Sequence, residues 1–169
     1  MIGELEHSYE LLDGMLPGTW AIGAGYSTNG EVSGMAFDPA HGYLFQLEQL
    51  VYRECACDED DTQGLAVFAG YYPRFRSGRL PAESVGDSFV AGLVYEGLIP
   101  GRDQDAVGAG VAWAELFQGG THQESVFEFF YKVQIAPRVS IQPDLQYIAS
   151  PSRIFRDALA VGMRFQITL

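Results

Sequence analysis

The sequence has almost no lysine: Lys132 stands alone in 169 residues. Arginine raises the cationic total only to 10, against 22 Asp plus Glu, for a formal net charge of −12. A chain so poor in cations cannot neutralise a row of phosphates, which excludes nucleic acid as a partner. It equally excludes electrostatic adhesion to anionic lipid headgroups. Cysteine is scarce too, with Cys55 and Cys57 in Glu-Cys-Ala-Cys-Asp, and His7, His41 and His122 are scattered. Four metal ligands with suitable reach cannot be assembled from these, so no metal and no other cofactor is expected. The cysteine pair reads as two exposed thiols in a turn or as a local disulfide. Long hydrophobic runs are also missing. The longest charge-free stretch, Gly14 to Gly30, holds Pro17, Gly18, Thr19, Ser27, Thr28 and Asn29 and is no transmembrane helix. No basic segment followed by an apolar one opens the chain, so no signal peptide is expected in it.

What the chain does have is alternation. From Asp157 to Leu169 the odd positions are Leu159, Val161, Met163, Phe165, Ile167 and Leu169, while the even ones are small or polar. Val139 to Tyr147 repeats this, with Ser140, Gln142, Asp144 and Gln146 on the other face. Phe127 to Ile135 does so again, with Glu128, Lys132 and Gln134 opposite, although Phe130 breaks the pattern. A period of two gives each strand one apolar and one polar face. Strands of about ten residues patterned in this way suit a transmembrane barrel, whose apolar face meets lipid and whose polar face lines water. A mean hydropathy of +0.01 is what alternation produces on averaging. The length fits one domain, residues 1–169.

Nine strands are predicted, over 2–11, 19–27, 43–53, 64–72, 87–97, 106–117, 126–136, 139–149 and 157–169. Turn signals separate them: Leu-Pro-Gly at 16–18, Ser-Thr-Asn-Gly at 27–30, Asp-Glu-Asp-Asp at 58–61, Pro-Gly-Arg-Asp at 100–103, Gly-Gly at 119–120 and Ser-Pro-Ser at 150–152. No segment has helical periodicity. The connections alternate in length, with 28–42, 73–86, 118–125 and 150–156 longer and 12–18, 54–63, 98–105 and 137–138 shorter. Outer-membrane barrels pair long outer loops with short periplasmic turns in this way. Pro143 falls mid-strand, where it lacks a ladder donor, so a bulge or a missing ladder bond is expected there. Trp20, Tyr26, Tyr43, Tyr52, Tyr71, Tyr95, Trp113, Tyr131 and Tyr147 lie near strand ends, as girdles at two membrane interfaces require.

Several segments together resemble the carbohydrate-selective porins of the OprB family. They are Gln49-Leu50-Val51-Tyr52-Arg53-Glu54, Gln63-Gly64-Leu65-Ala66-Val67-Phe68-Ala69, Ala91 through Asp103 with its Gly-Leu-Ile-Pro-Gly-Arg-Asp, Gly108 to Ala112, and Ile141-Gln142-Pro143-Asp144-Leu145-Gln146-Tyr147 with the closing strand. The resemblance covers nearly the whole chain but matches the C-terminal half of the family's barrel. It implies an all-β, antiparallel transmembrane barrel of sixteen strands, of which about nine are here, so the chain reads as a fragment. Two features depart from the family. The chain ends in Leu169 where an aromatic is usual, and nine strands cannot close a single-chain antiparallel barrel, which needs an even number.

The family's function, implied by the resemblance, is passive diffusion of sugars through a water-filled barrel in the bacterial outer membrane. Its partners would be the permeating sugars, outer-membrane lipid, the barrel assembly machinery and, in a homo-oligomer, further copies. A neutral polyol needs wall groups that replace its hydration, and charged pairs across a constriction disfavour apolar solutes. The candidate pore-lining residues stand opposite the apolar faces: Glu48, Glu96, Glu128, Lys132, Gln134, Gln142, Asp144, Gln146, Arg164 and Gln166. Asp144 and Arg164, on adjacent strands that could pair them, lead this set; Glu128 and Lys132 follow. Two other readings belong to different classes. One is an outer-membrane barrel serving as scaffold or adhesin, and the other is a soluble β-sandwich. An enzyme is not expected, because no histidine lies at a confident lumen-facing strand position to act as base.

Overall fold

The computed structural model describes residues 2–12, 14–28, 30–32, 35–37, 39–55, 63–76, 84–117, 121–151 and 155–168. Twelve strands are formed: β1 Ile2–Leu11, β2 Leu16–Ser27, β3 Gly30–Val32, β4 Met35–Phe37, β5 Ala40–Arg53, β6 Gly64–Tyr72, β7 Arg74–Arg76, β8 Ser84–Glu96, β9 Ala106–Phe117, β10 Thr121–Ala136, β11 Val139–Ala149 and β12 Ala158–Ile167. Ten form one sheet in the order β1-β2-β5-β6-β8-β9-β10-β11-β12, with β7 pairing the start of β5. Every pairing is antiparallel. The remaining two, β3 and β4, make a small separate hairpin in the connection between β2 and β5.

The nine predicted strands are all present, but several run longer. Leu16, Pro17 and Gly18, read as a turn, pair within β2 against Leu11, Glu10 and Tyr9. The ladder here extends past the proline because β2 pairs with β5 only from Gly18, opposite Gln49, so Pro17 is edge-like on that side, where a missing donor is tolerated. Strand β10 begins at Thr121 rather than 126, so only 118–120 separate it from β9. That removes the strict alternation of connection lengths, since 54–63 and 97–105 on the opposite rim are longer than 118–120. The cause is the β9–β10 hairpin, whose pairing continues to Thr121 opposite Phe117. The predicted turns at 58–61 and 119–120, and Cys57, lie outside the described residues; Cys55 is disulfide-bonded.

At Pro143 the expected defect is found on one side only. Pairing between β10 and β11 runs to Phe130 opposite Asp144 and resumes at Val133 opposite Ile141, with no shift of register. Between β11 and β12 it is continuous through Pro143 opposite Met163. An antiparallel residue directs its N–H to one neighbour alone. The missing donor therefore costs the ladder only toward β10.

The sheet is a single layer without a core. Among the described residues the buried apolar ones are Ala21, Ala40 and Ala106, and no large side chain is fully buried. In contrast, Leu159, Val161, Met163, Phe165 and Ile167 are exposed, Val161 to 79%. Register places them in rows with Tyr147, Leu145 and Ile141 and on to Phe127, Phe129 and Val133. A two-layer sandwich would press such a face against a second sheet. This wall leaves it open, which overturns the sandwich reading. The other face is polar in β10–β12, and its side chains are mostly half-buried against one another except at β12. Crowded on one face and splayed on the other, the wall curves with the polar face inside.

All nine aromatics predicted for the girdles fall on the apolar face. Tyr52, Tyr95 and Tyr131 occupy one row, joined through Leu65 and Val107. Tyr71 and Trp113 occupy another, joined through Phe89. Six residues separate Tyr95 from Phe89, about 20 Å along the strand.

Candidate functional site

On the inner face, cross-strand pairing decides which polar side chains meet. Arg164 stands opposite Gln142, and Asp144 opposite Gly162. The leading candidates are thus one row apart, and no ion pair joins them. Asp144 instead accepts from the Gln146 amide at 3.3 Å, and the same amide lies 3.5 Å from Glu128 Oε2. This happens because Gln146 is directly opposite Glu128 while Asp144 is its same-face neighbour on β11. The result is a short hydrogen-bonded group, Glu128–Gln146–Asp144, in which the Gln146 amide donates to both carboxylates. Lys132 sits opposite Ala106 on β9, and Gln166 opposite Ser140 on β11.

The remaining candidates are spread out. Glu48 is opposite Thr19 on one side and Phe68 on the other. Glu96 closes β8 between Gly64 and Ala106. Gln134 is engaged at the rim, its side-chain amide donating to the Ala136 carbonyl at 2.7 Å. The ten candidates therefore share a face, and Glu128, Gln146 and Asp144 form one hydrogen-bonded group on it.

Strands β6 to β9 present an inner face of another kind. Ala66, Phe68 and Gly70 of β6 meet Val94, Gly92 and Val90 of β8, and these meet Gly108, Gly110 and Ala112 of β9. Two phenyl rings lie across this strip. A Cβ on Gly92 would stand 2.5 Å from the Phe68 ring, and one on Gly108 would stand 2.4 Å from the Phe130 ring. Only glycine permits such close approach. The strip hollows into a cavity of about 140 Å³ lined by Phe68, Val90, Gly110, Ala112, Val126, Glu128 and Phe130. Phe130 is the residue that breaks the alternation in β10, and it breaks it by turning an aromatic ring inward.

At the rims, three aspartates each tie a tyrosine to the backbone three residues beyond it. Asp105 takes the Tyr131 hydroxyl on one oxygen and the Gln134 N–H on the other. Asp87 does the same for Tyr71 and Arg74 N–H, and Asp157 for Tyr147 and Ser150 N–H. One oxygen fixes the tyrosine ring at the strand end, and the backbone bond closes the adjoining connection. Asp105 differs in being only 2% exposed and in adding a bidentate Arg102, at 2.7 and 3.0 Å. Burial alone would raise its pKa; the Tyr131 hydroxyl, Arg102 and the Gln134 N–H outweigh that and hold it below the usual carboxylate range. The Tyr147 hydroxyl and Ser150 N–H hold Asp157 low as well. Sequence reading missed these aspartates, since no spacing rule links residue 105 to 131; the Tyr-x-x-X endings of β6, β10 and β11 are the only trace.

Among the described residues no group of three His, Cys, Asp or Glu stands close enough to hold a metal ion. The face as built can hydrogen-bond and stack against a solute in water.

Comparison with known proteins adds the following. The family model described as "Carbohydrate-selective porin, OprB family" matches residues 1–169. The solved structure of Pseudomonas putida OprB at high pH superposes with a TM-score of 0.80 at 23% identity, covering 98% of this chain and 47% of that one. Its low-pH structure gives 0.68 at 23% identity, covering 98% and 46%. This chain thus spans just under half the length of those proteins. No curated protein sequence matches it.

Proposed function

Because the chain belongs to the OprB family of carbohydrate-selective porins, we propose that its strands form one side of a water-filled outer-membrane channel through which sugars diffuse passively. The observation that carries this reading is the coreless single-layer wall, apolar outside and hydrogen-bonding inside. Lipid covers the first face and solute passes the second. The disulfide at Cys55 suits an oxidising envelope compartment.

The strand directions say what must close the wall. The path from β1 to β12 contains nine strands, each antiparallel to the last, so β1 and β12 run the same way. They are not paired with each other among the described residues. An open edge in hydrocarbon costs several kcal/mol per unpaired group. An all-antiparallel closure needs an odd number of further strands, and seven would bring the total to sixteen. A second copy in the same membrane orientation would offer a parallel strand at both seams. Self-association is then between completed barrels, inserted by the barrel assembly machinery.

Within the channel, we assign the hydrogen-bonding wall to Gln142, Asp144, Gln146, Glu128, Lys132, Arg164 and Gln166, with Glu48, Glu96 and Gln134 nearer its margins. The test is sugar flux into proteoliposomes carrying the completed barrel, comparing wild type with Asp144→Ala/Arg164→Ala. Slower or less selective sugar entry is expected. Unchanged flux and selectivity in a normally folded variant would remove the two from the path, and no sugar flux in the wild type would remove the transport reading itself.

A further inference from the structure

The apolar strip on an otherwise polar inner face remains unexplained by a hydrogen-bonding wall. We propose that Phe68 and Phe130, with the carboxylates of Glu128 and Asp144 bridged by the Gln146 amide beside them, form a stacking subsite for a pyranose ring. The proposal rests on the sugar-channel reading and names the solute surface the wall selects.

The two rings come from strands three places apart in the sheet, yet both reach toward β9. Phe68 crosses Gly92 and comes within 3.6 Å of where a Gly110 Cβ would stand, while Phe130 seats on Gly108. Gly108 and Gly110 are successive inward residues of β9, so these seats lie about 7 Å apart. Each ring sets its Cε1–Cζ edge against glycine, is only half-buried, and lines the cavity. A pyranose has an apolar face of C–H groups and a rim of hydroxyls. The rings supply a flat apolar surface of matching breadth. Glu128 lines the same hollow, and Asp144 is directly opposite Phe130. Carboxylates accept hydrogen bonds only, so they serve a rim of hydroxyl donors. An apolar floor with a few convergent polar groups at one margin is the general form of a small-molecule site. An open-chain polyol carries the same hydroxyls but lacks the rigid C–H face.

A purely structural role would also place aromatic rings over glycines, since they shield bare backbone. Leucine covers glycine without offering a flat π face, so Phe68→Leu and Phe130→Leu separate the roles. The experiment is saturation-transfer NMR on the chain in detergent micelles, with methyl β-D-glucopyranoside and sorbitol as probes. It needs no closed pore, so failure of channel activity does not decide it. We expect transfer from aromatic protons to H1, H3 and H5 of the glucoside, little to sorbitol, and a loss of about fivefold in the double variant with circular dichroism unchanged. Transfer that is absent in the wild type, equal for both probes, or unaltered by the two substitutions would overturn the subsite. The first of these results would mean that protein covers the rings.

Discussion

The inner faces of β10–β12 and of β6–β9 belong to one wall and obey one register, yet they are built for different tasks. In β10–β12 the inward positions carry carboxylates, amides and an arginine, and the single aromatic among them is Phe130. In β6–β9 most carry glycine, alanine or valine, with Phe68 and, at the end of β8, Glu96 among them, and a side chain from one strand lies across the bare backbone of the next. The glycines of the two regions show the contrast most sharply. A Cβ on Gly92 would meet the Ala109 carbonyl at 2.6 Å besides the Phe68 ring, whereas one on Gly162 would meet only the Asp144 carboxylate. Backbone cannot move aside, and a side-chain carboxylate held by one 3.3 Å amide bond can. The central strands are therefore packed tightly and the C-terminal strands loosely, on the same face.

The largest effect is expected where that tight packing is violated. Gly92→Val should destabilise the wall by roughly 3 kcal/mol, as overpacking against backbone does, read by urea unfolding in phospholipid vesicles. A charge on the lipid face comes next. Val161→Arg should cost about 2–3 kcal/mol, while Ala160→Arg on the inner face should cost almost nothing. Equal costs would break the distinction between faces on which everything else depends. Asp105→Ala should follow at about 2 kcal/mol, because it leaves the Tyr131 hydroxyl and Gln134 N–H without their acceptor. The smallest effect belongs to Gly162→Ala, under about 0.5 kcal/mol, since surface-type changes that displace only a flexible group stay in that range. A cost for Gly162→Ala matching that of Gly92→Val would erase the contrast between the regions.

Acid sharpens the same picture at the rim. The folded pKa of Asp105 lies below its unfolded value, so its contribution is complete above the ordinary carboxylate range. It is lost as pH falls through the lowered folded value, below about pH 4. Asp157 acts in the same direction. Unfolding midpoints measured from pH 6 down to pH 2 should fall, and Asp105→Ala should flatten part of that fall. A midpoint that rises on acidification would contradict the assignment.

Much of the wall could be read from residue order alone, because alternation is a local signal. The apolar set Leu159 to Ile167 and the polar set Ser140 to Gln146 lie on the faces their spacing assigns. Strand ends were harder. Leu-Pro-Gly at 16–18 looks like a turn, yet it pairs with Leu11, Glu10 and Tyr9, since the neighbouring strand's length decides where a ladder stops. Side-chain partners were harder still. Placing Asp144 against Arg164 requires the register between β11 and β12, and a one-row offset leaves Asp144 with Gln146 instead. The inward rings of Phe68 and Phe130 had a visible sign only in β10, where Phe130 interrupts the pattern. In β6 the run Leu65-Ala66-Val67-Phe68-Ala69 is apolar on both faces, and periodicity cannot say that its large ring points inward.

The central claim is that one face of this sheet meets lipid and the other meets water. Spin labels placed singly at each position from Ala158 to Ile167, in the chain inserted into phospholipid bilayers, test it most directly. Power-saturation EPR should show collision with oxygen peaking at Leu159, Val161, Met163, Phe165 and Ile167, and collision with a water-soluble nickel complex peaking at Ala160, Gly162, Arg164 and Gln166. Uniform accessibility along β12, or alternation of the opposite phase, would contradict the membrane wall.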